Sequence, residues 1–271
     1  MQFILLGNAS VGRMIISKKN GAVLTDDQTR IAFDHYSNGH SSVIVLAHGF
    51  YNSKKAVLFQ EMAENLLDVY DVVVMDYRGH GESEGRFTWS AKEPLDLTAI
   101  LAFARERYAR VGVIGFSMGA AVGLIVAAQA NPMDSLIAVS PPSEFGKIDF
   151  HFWKMDIMEN VVYNVLQEGR IGKGFKAGAF WLKKTKPIEI VAKIKIPTLF
   201  YHGAKDWLVL PWHSKQLYQK AGAFKRIEII ANGTHAEYLF RRDREGTINR
   251  FKNWFRETLS QAGKEKRAQT C

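Results

Sequence analysis

The run "VGVIGFSMGAAVGLIVAAQA", Val111 to Ala130, restricts the fold more than any other part of the chain. It opens as a short apolar stretch rich in β-branched residues, the signature of a strand buried on both faces. It then turns at two glycines around one hydroxyl and continues as a long, Ala-rich stretch with helical spacing. A strand buried on both faces needs parallel neighbours, and parallel neighbours need crossover helices. The rest of the chain supplies them. "SSVIVLAHG", "DVVVMDY", "SLIAVS", "PTLFYHG" and "RIEIIAN" read as core strands. "AVLFQEMAENLLDVY", "PLDLTAILAFARERY", Trp212 to Lys220 and "GTINRFKNWFRETLSQ" read as helices between and after them. Ahead of these, "RMIIS" and "TRIAFDHY" carry weaker strand patterns. The alternation predicts an α/β domain with a mostly parallel sheet and helices on both faces.

The rhythm breaks between Pro141 and Pro197. Residues 142–196 are therefore expected to form a small cap inserted after the strand near residue 139, with residues 1–271 forming a single domain. A chain of 271 residues, 47% hydrophobic, has ample material for one large core. The apolar runs are too short or too interrupted to span a bilayer, and "MQFILLGNAS" lacks a basic region ahead of its apolar run, so a soluble cytoplasmic protein is expected. Cys271 is the only cysteine, which leaves no intramolecular disulfide and no metal-ligand companion. The net charge of +9 is spread over small clusters such as "KKTK" at Lys183 to Lys186. Without a recognised nucleic-acid module, those clusters read as solvated basic faces, and no nucleic-acid partner is expected. A homodimer stays open.

"GFSMG" matches G-x-S-x-G, in which small flanking residues let a strained strand-to-helix turn lift the serine hydroxyl clear of the sheet. The competing structural role is a serine that caps the following helix. A hydroxyl at neutral pH is a poor nucleophile and needs a base, itself oriented by an acid. Eight histidines compete for the role of base. His235 lies in "GTHAEY" after the strand "RIEIIAN", where it would enter the same crevice as Ser117. Asp206, after "YHGAK", occupies the corresponding position one strand earlier. The chain order Ser117, Asp206, His235 fits this serine architecture. Other chemistries lack their residues: "GHGESEG" departs from G-x-G-x-x-G, "GRIGKGFK" has no G-K-[ST], and no H-E-x-x-H or Cys/His cluster calls for a metal or cofactor.

Taken together, "AHGF", "MDYRGHGESEG", "GFSMGA", "YHGAKD" and "NGTHAEY" resemble the α/β-hydrolase superfamily, in the group that holds serine esterases, acylglycerol lipase-like and cinnamoyl or feruloyl esterase-like enzymes. The resemblance spans roughly residues 20 to 260. It implies a carboxylic-ester hydrolase acting on a small-molecule ester through an acyl-enzyme. It also implies that the backbone amides of Phe50 and Met118 form an oxyanion hole. The same machinery serves peptidases, thioesterases, C–C hydrolases and acyltransferases, and some members of the fold bind ligands without turnover. The serine at the elbow sets the chain apart from haloalkane dehalogenases and epoxide hydrolases, which use Asp there. In the cap, Phe152, Trp153, Phe180 and Trp181 are expected to line an apolar acyl or aryl pocket, or else to form the cap's own small core.

Overall fold

The computed structural model describes residues 17–129, 133–148, 174–222 and 224–260. Eight strands form one sheet in the order β1-β2-β4-β3-β5-β6-β7-β8. They are β1 (Ser17–Leu24), β2 (Arg30–Ser37), β3 (Ser42–Ala47), β4 (Asp71–Met75), β5 (Arg110–Phe116), β6 (Ser135–Val139), β7 (Thr198–Gly203) and β8 (Lys225–Ile230). The pairings β1–β2 and β2–β4 are antiparallel, and all others are parallel. The helices are α1 (Val57–Leu66), α2 (Glu93–Arg105), α3 (Met118–Ala127), α4 (Pro187–Ile190), α5 (Trp212–Lys220), α6 (Tyr238–Arg242) and α7 (Arg244–Leu259). Among the described residues no helix is long and apolar enough to cross a membrane.

Successive side chains on a strand point to opposite faces, and the parallel strands fill both faces with apolar residues. Val43, Val45 and Ala47 of β3 join a core that includes Leu97 of α2, Leu124 of α3 and Leu217 of α5. Ile44 and Leu46 join the opposite core, with Phe59 of α1, Phe240 of α6 and Phe251 of α7. All ten residues of α3 are buried, as expected for a helix that is apolar on every side. Residues 187–196 also belong to the body of the domain: α4 runs into a 3₁₀ turn, and Val191, Ile194 and Ile196 enter the first core.

Strand order places the site. β3 lies between β4 and β5, its neighbours on either side, so the chain's direction of winding reverses there, and the loops leaving the carboxyl ends of β3 and β5 open a crevice. Ala47 pairs with Gly115, which brings the loop that starts at His48 beside Ser117. The approach is close enough that a Cβ on Gly49 would sit 3.4 Å from the Ser117 Cβ.

Candidate active site

Ser117 leaves β5 at φ 50°, ψ −110° and makes no capping hydrogen bond to α3, so its hydroxyl is not held as a helix cap. Its N–H donates to Val139 O at 2.8 Å, and its carbonyl accepts from Ala121 N at 3.1 Å. Both flanking glycines are forced by close approach. A Cβ on Gly115 would meet Gly119 O at 2.5 Å, and one on Gly119 would meet Ala47 O at 2.2 Å. Ser117 and His235 line one cavity of about 290 Å³, together with Phe50, Tyr51, Trp207, Leu208, Glu237 and Tyr238.

Asp206 stands one strand away from His235 and pairs with it. His235 Nδ1 lies 2.8 Å from Asp206 Oδ2 and 3.0 Å from Oδ1. Asp206 is otherwise saturated: Oδ1 accepts from Leu208 N at 3.0 Å and Val209 N at 2.9 Å, and Oδ2 lies 3.2 Å from His202 Nε2. His202 Nε2–H also donates to Val209 O at 2.7 Å, while its Nδ1 accepts from the Ser214 hydroxyl at 2.6 Å. A carboxylate surrounded by donors favours its charged form. Burial pushes the Asp206 pKa up, but the two histidines outweigh burial and hold it well below the usual range. For His235, burial lowers the pKa, while the charge and hydrogen bond of Asp206 and the charge of Glu237 raise it, and the net shift is upward from 6.5. Because Nδ1 donates to Asp206, neutral His235 carries its lone pair on Nε2.

Two further contacts hold this loop and were not foreseen from sequence. Ser140, at the end of β6, takes φ 49°, and its hydroxyl oxygen accepts from Ala236 N at 3.1 Å, one residue beyond His235. Ala236 itself sits at φ 46°. Of the seven non-glycine residues with positive φ among the described residues, Tyr51 and Ser117 line this cavity, and Ser140 and Ala236 join in the hydrogen bond beside His235, a concentration typical of functional sites. Across the cavity, Asn52 Nδ2 donates to Glu237 Oε1 at 2.7 Å and ties the loop after β3 to the histidine loop.

The loop after β3 is oriented by two histidines. Tyr77 N–H donates to His48 Nε2 at 3.0 Å, so the His48 Nδ1–H donates to Gly49 O at 2.6 Å. In a trans peptide the carbonyl and the following N–H point opposite ways, so the Phe50 N–H is directed away from His48. His80 holds the next turn, donating from Nδ1 to Arg78 O at 3.1 Å and accepting from Tyr51 N at 3.4 Å. Burial keeps both rings neutral, with pKa values pushed down to about 3 for His48 and about 4 for His80. Met118 is the first residue of α3, and since the Ser117 carbonyl points along the helix toward Ala121 N, the Met118 N–H points back out of its N-terminus.

The remaining described histidines are engaged elsewhere. His35 Nε2–H donates to Tyr108 OH at 2.5 Å, His40 Nε2–H to Leu67 O at 2.9 Å, and His213 Nδ1 accepts from Ser143 Oγ at 2.7 Å. Glu144, an acid a few residues after β6, the strand before β7, pairs with Lys147 and Lys186. Of the expected pocket residues, Phe152 and Trp153 lie outside the described residues. Phe180 and Trp181 are exposed and do not line the cavity with Ser117. Its described apolar wall comes from Phe50 and Tyr51 on the loop after β3, Trp207 and Leu208 on the loop after β7, and Tyr238 at the start of α6.

Comparison with known proteins agrees with the architecture. Residues 42–163 match the family model described as alpha/beta hydrolase fold. The uncharacterized protein YqkD of Bacillus subtilis is 28% identical over 214 residues, covering 72% of this chain and 65% of that protein. The alpha/beta hydrolase domain-containing protein WAV2 of Arabidopsis thaliana is 32% identical over 163 residues, covering 56% of this chain and 49% of that protein. The chain thus spans about half to two thirds of the length of these two curated relatives. Among solved structures, the esterase Pf2001 of Pyrococcus furiosus superposes with a TM-score of 0.74 at 21% identity, covering 94% of this chain and 98% of that one. An esterase from Exiguobacterium antarcticum gives 0.67 at 16% identity, covering 87% and 98%. Strand order, the elbow at Ser117 and these likenesses together establish that the chain has the α/β-hydrolase fold.

Proposed function

We propose that the protein hydrolyses carboxylic esters through an acyl-enzyme on Ser117. The observation that carries this reading is the 2.8 Å pairing of His235 with Asp206, facing the cavity that holds an uncapped, strained Ser117. Ser117 Oγ attacks the ester carbonyl carbon as its proton passes to His235 Nε2. The resulting imidazolium is stabilised by Asp206, which stays ionised. The tetrahedral oxyanion takes hydrogen bonds from the Phe50 and Met118 amides, two preorganised donors that need no reorientation during the step. Collapse breaks the bond to the alkoxide, which leaves with the proton from His235. Water then attacks the acyl-enzyme, with His235 again taking and returning the proton, and releases the acid and free Ser117.

The lining favours substrates with an apolar acyl or aryl group, because aromatic rings and Leu208 form most of its described wall and the one carboxylate, Glu237, disfavours anions. A panel of p-nitrophenyl ester, thioester and anilide substrates of matched acyl length tests the reading. The expected order is ester above thioester, with anilide slowest. Faster turnover of anilide or thioester would move the assignment to a peptidase or thioesterase on the same triad, and no turnover of any would leave a ligand-binding protein.

A further inference from the structure

Two features singled out in the sequence, the aromatic pair Phe180–Trp181 and the lysine run at Lys183, meet on one turn away from the catalytic cavity. At 65% and 74% exposure, these two rings are the most exposed large apolar side chains among the described residues. They are not loose ends. The rings pack edge to face at 5.2 Å. The turn beneath them is closed by the Lys184 ammonium, which donates to Phe180 O and, at 3.1 Å, to Leu182 O. An internal cation thus holds an aromatic tip out into solvent, where apolar surface is normally disfavoured unless something covers it.

The surroundings say what kind of cover fits. Exposed Lys176 and Lys183 flank the tip in sequence, and Lys186 bridges Glu144 at 3.0 Å. The segment between Lys176 and Lys186 contains no acidic residue, within a chain of net charge +9. Just upstream, Phe175 packs on Phe50 at 4.6 Å and Tyr51 at 6.3 Å, both of which line the catalytic cavity, and all three rings are partly exposed. Phe175 thus sets a further exposed ring beside the cavity mouth, five residues along the chain from Phe180. Trp and Phe settle at the headgroup level of a bilayer, lysines extend their ammonium groups to lipid phosphates, and each lysine near an anionic surface strengthens the attraction.

We infer that the Phe180–Lys184 turn and its flanking lysines dock the protein on an anionic lipid surface, with the cavity mouth turned toward that surface. The docking does not depend on the proposed reaction, and the experiment separates the two by using Ser117→Ala protein, which leaves lipid esters intact. Sucrose-loaded vesicles of phosphatidylcholine alone, and of phosphatidylcholine with phosphatidylglycerol, are pelleted with the protein. Binding is expected to be about tenfold or more tighter on the mixed vesicles, and to weaken as salt is raised. Phe180→Ser with Trp181→Ser should lower binding to the mixed vesicles about tenfold or more while the melting temperature is kept. Lys176→Gln with Lys183→Gln should remove most of the preference for the anionic lipid. Failure of the parent to pellet with mixed vesicles, or unchanged pelleting of the aromatic variant, would overturn the inference. So would sedimentation velocity without lipid showing a dimer that Phe180→Ser with Trp181→Ser converts to monomer, since the turn would then join two copies of the chain.

Discussion

Replacing Asp206 with Asn removes one charge and almost no volume, and the hydrogen bonds around the carboxylate dictate how the amide must sit. Oδ1 accepts from two backbone amides, Leu208 N at 3.0 Å and Val209 N at 2.9 Å, so the Asn carbonyl oxygen must take that place. Its NH₂ then stands where Oδ2 was, 2.8 Å from His235 Nδ1 and facing His202 Nε2–H. Two donors cannot face each other, so neutral His235 must move its proton to Nε2 and accept at Nδ1. The nitrogen that faces the cavity then has no lone pair for the serine proton. The equivalent change in other Ser–His–Asp sites costs about 10⁴-fold in kcat, or roughly 5 kcal/mol of barrier. A loss of that order in kcat on p-nitrophenyl acetate is expected, with a much smaller change in KM. A conservative control, Glu144→Gln, should keep near-parent activity because Glu144 is paired with Lys147 and Lys186. A loss below about tenfold in folded Asp206→Asn, or a larger loss in Glu144→Gln, would refute the assignment of the acid.

The same geometry sets further outcomes. Ser140→Ala removes the acceptor for Ala236 N–H; it is expected to lower kcat by roughly tenfold with KM little changed, measured by steady-state kinetics beside the melting temperature. Because Asp206 raises the His235 pKa above 6.5 and only neutral imidazole accepts the proton, kcat/KM should fall as pH drops through a value above 6.5. In Asp206→Asn the residual activity should show that limb displaced to lower pH. His80 is buried neutral with a pKa near 4, so its contribution is fully present above 6.5 and is lost as pH falls through the window from 6.5 to 4. His80→Asn, whose amide can donate to Arg78 O in place of Nδ1–H but cannot titrate, should therefore be less acid-labile than the parent. The difference in the pH slope of unfolding free energy is about 1.4 kcal/mol per unit across that window, read by denaturant titration.

The central strands were legible because strands buried on both faces must be apolar throughout, as in "SVIVLA" and "DVVVM". β1 was not. Its sequence "SKKNGAVL" is mostly exposed at the sheet edge, so no buried face imposes a pattern, and its polar start suits an unpaired edge. The weak strand expected at "RMIIS" lies mostly outside the described residues. The five-residue α6 was hidden by its shortness. Ser117, Asp206 and His235 were named from chain order and strand ends, and the fold pairs His235 with Asp206 and puts His235 and Ser117 on one cavity. Ser140 could not be named, because its part depends on a left-handed backbone and a hydrogen bond to a residue 96 positions away. The nearest sequence signal was its place at the carboxyl end of a core strand. Asn52 with Glu237, and His48 with His80, likewise meet only through the fold. The aromatic count between Pro141 and Pro197 carried no direction, so it could not separate a pocket wall from the exposed Phe180 and Trp181.

The proposed chemistry requires Ser117 to be the nucleophile, and covalent labelling tests that most directly. The folded protein is treated with a fluorophosphonate, digested, and the adduct located by mass spectrometry. The mechanism predicts a single stoichiometric adduct on the peptide containing Ser117, formed at a rate that rises as His235 becomes neutral, and abolished in Ser117→Ala with the fold kept. An adduct on another residue, such as Ser143 beside His213, or undiminished labelling of Ser117→Ala, would contradict it.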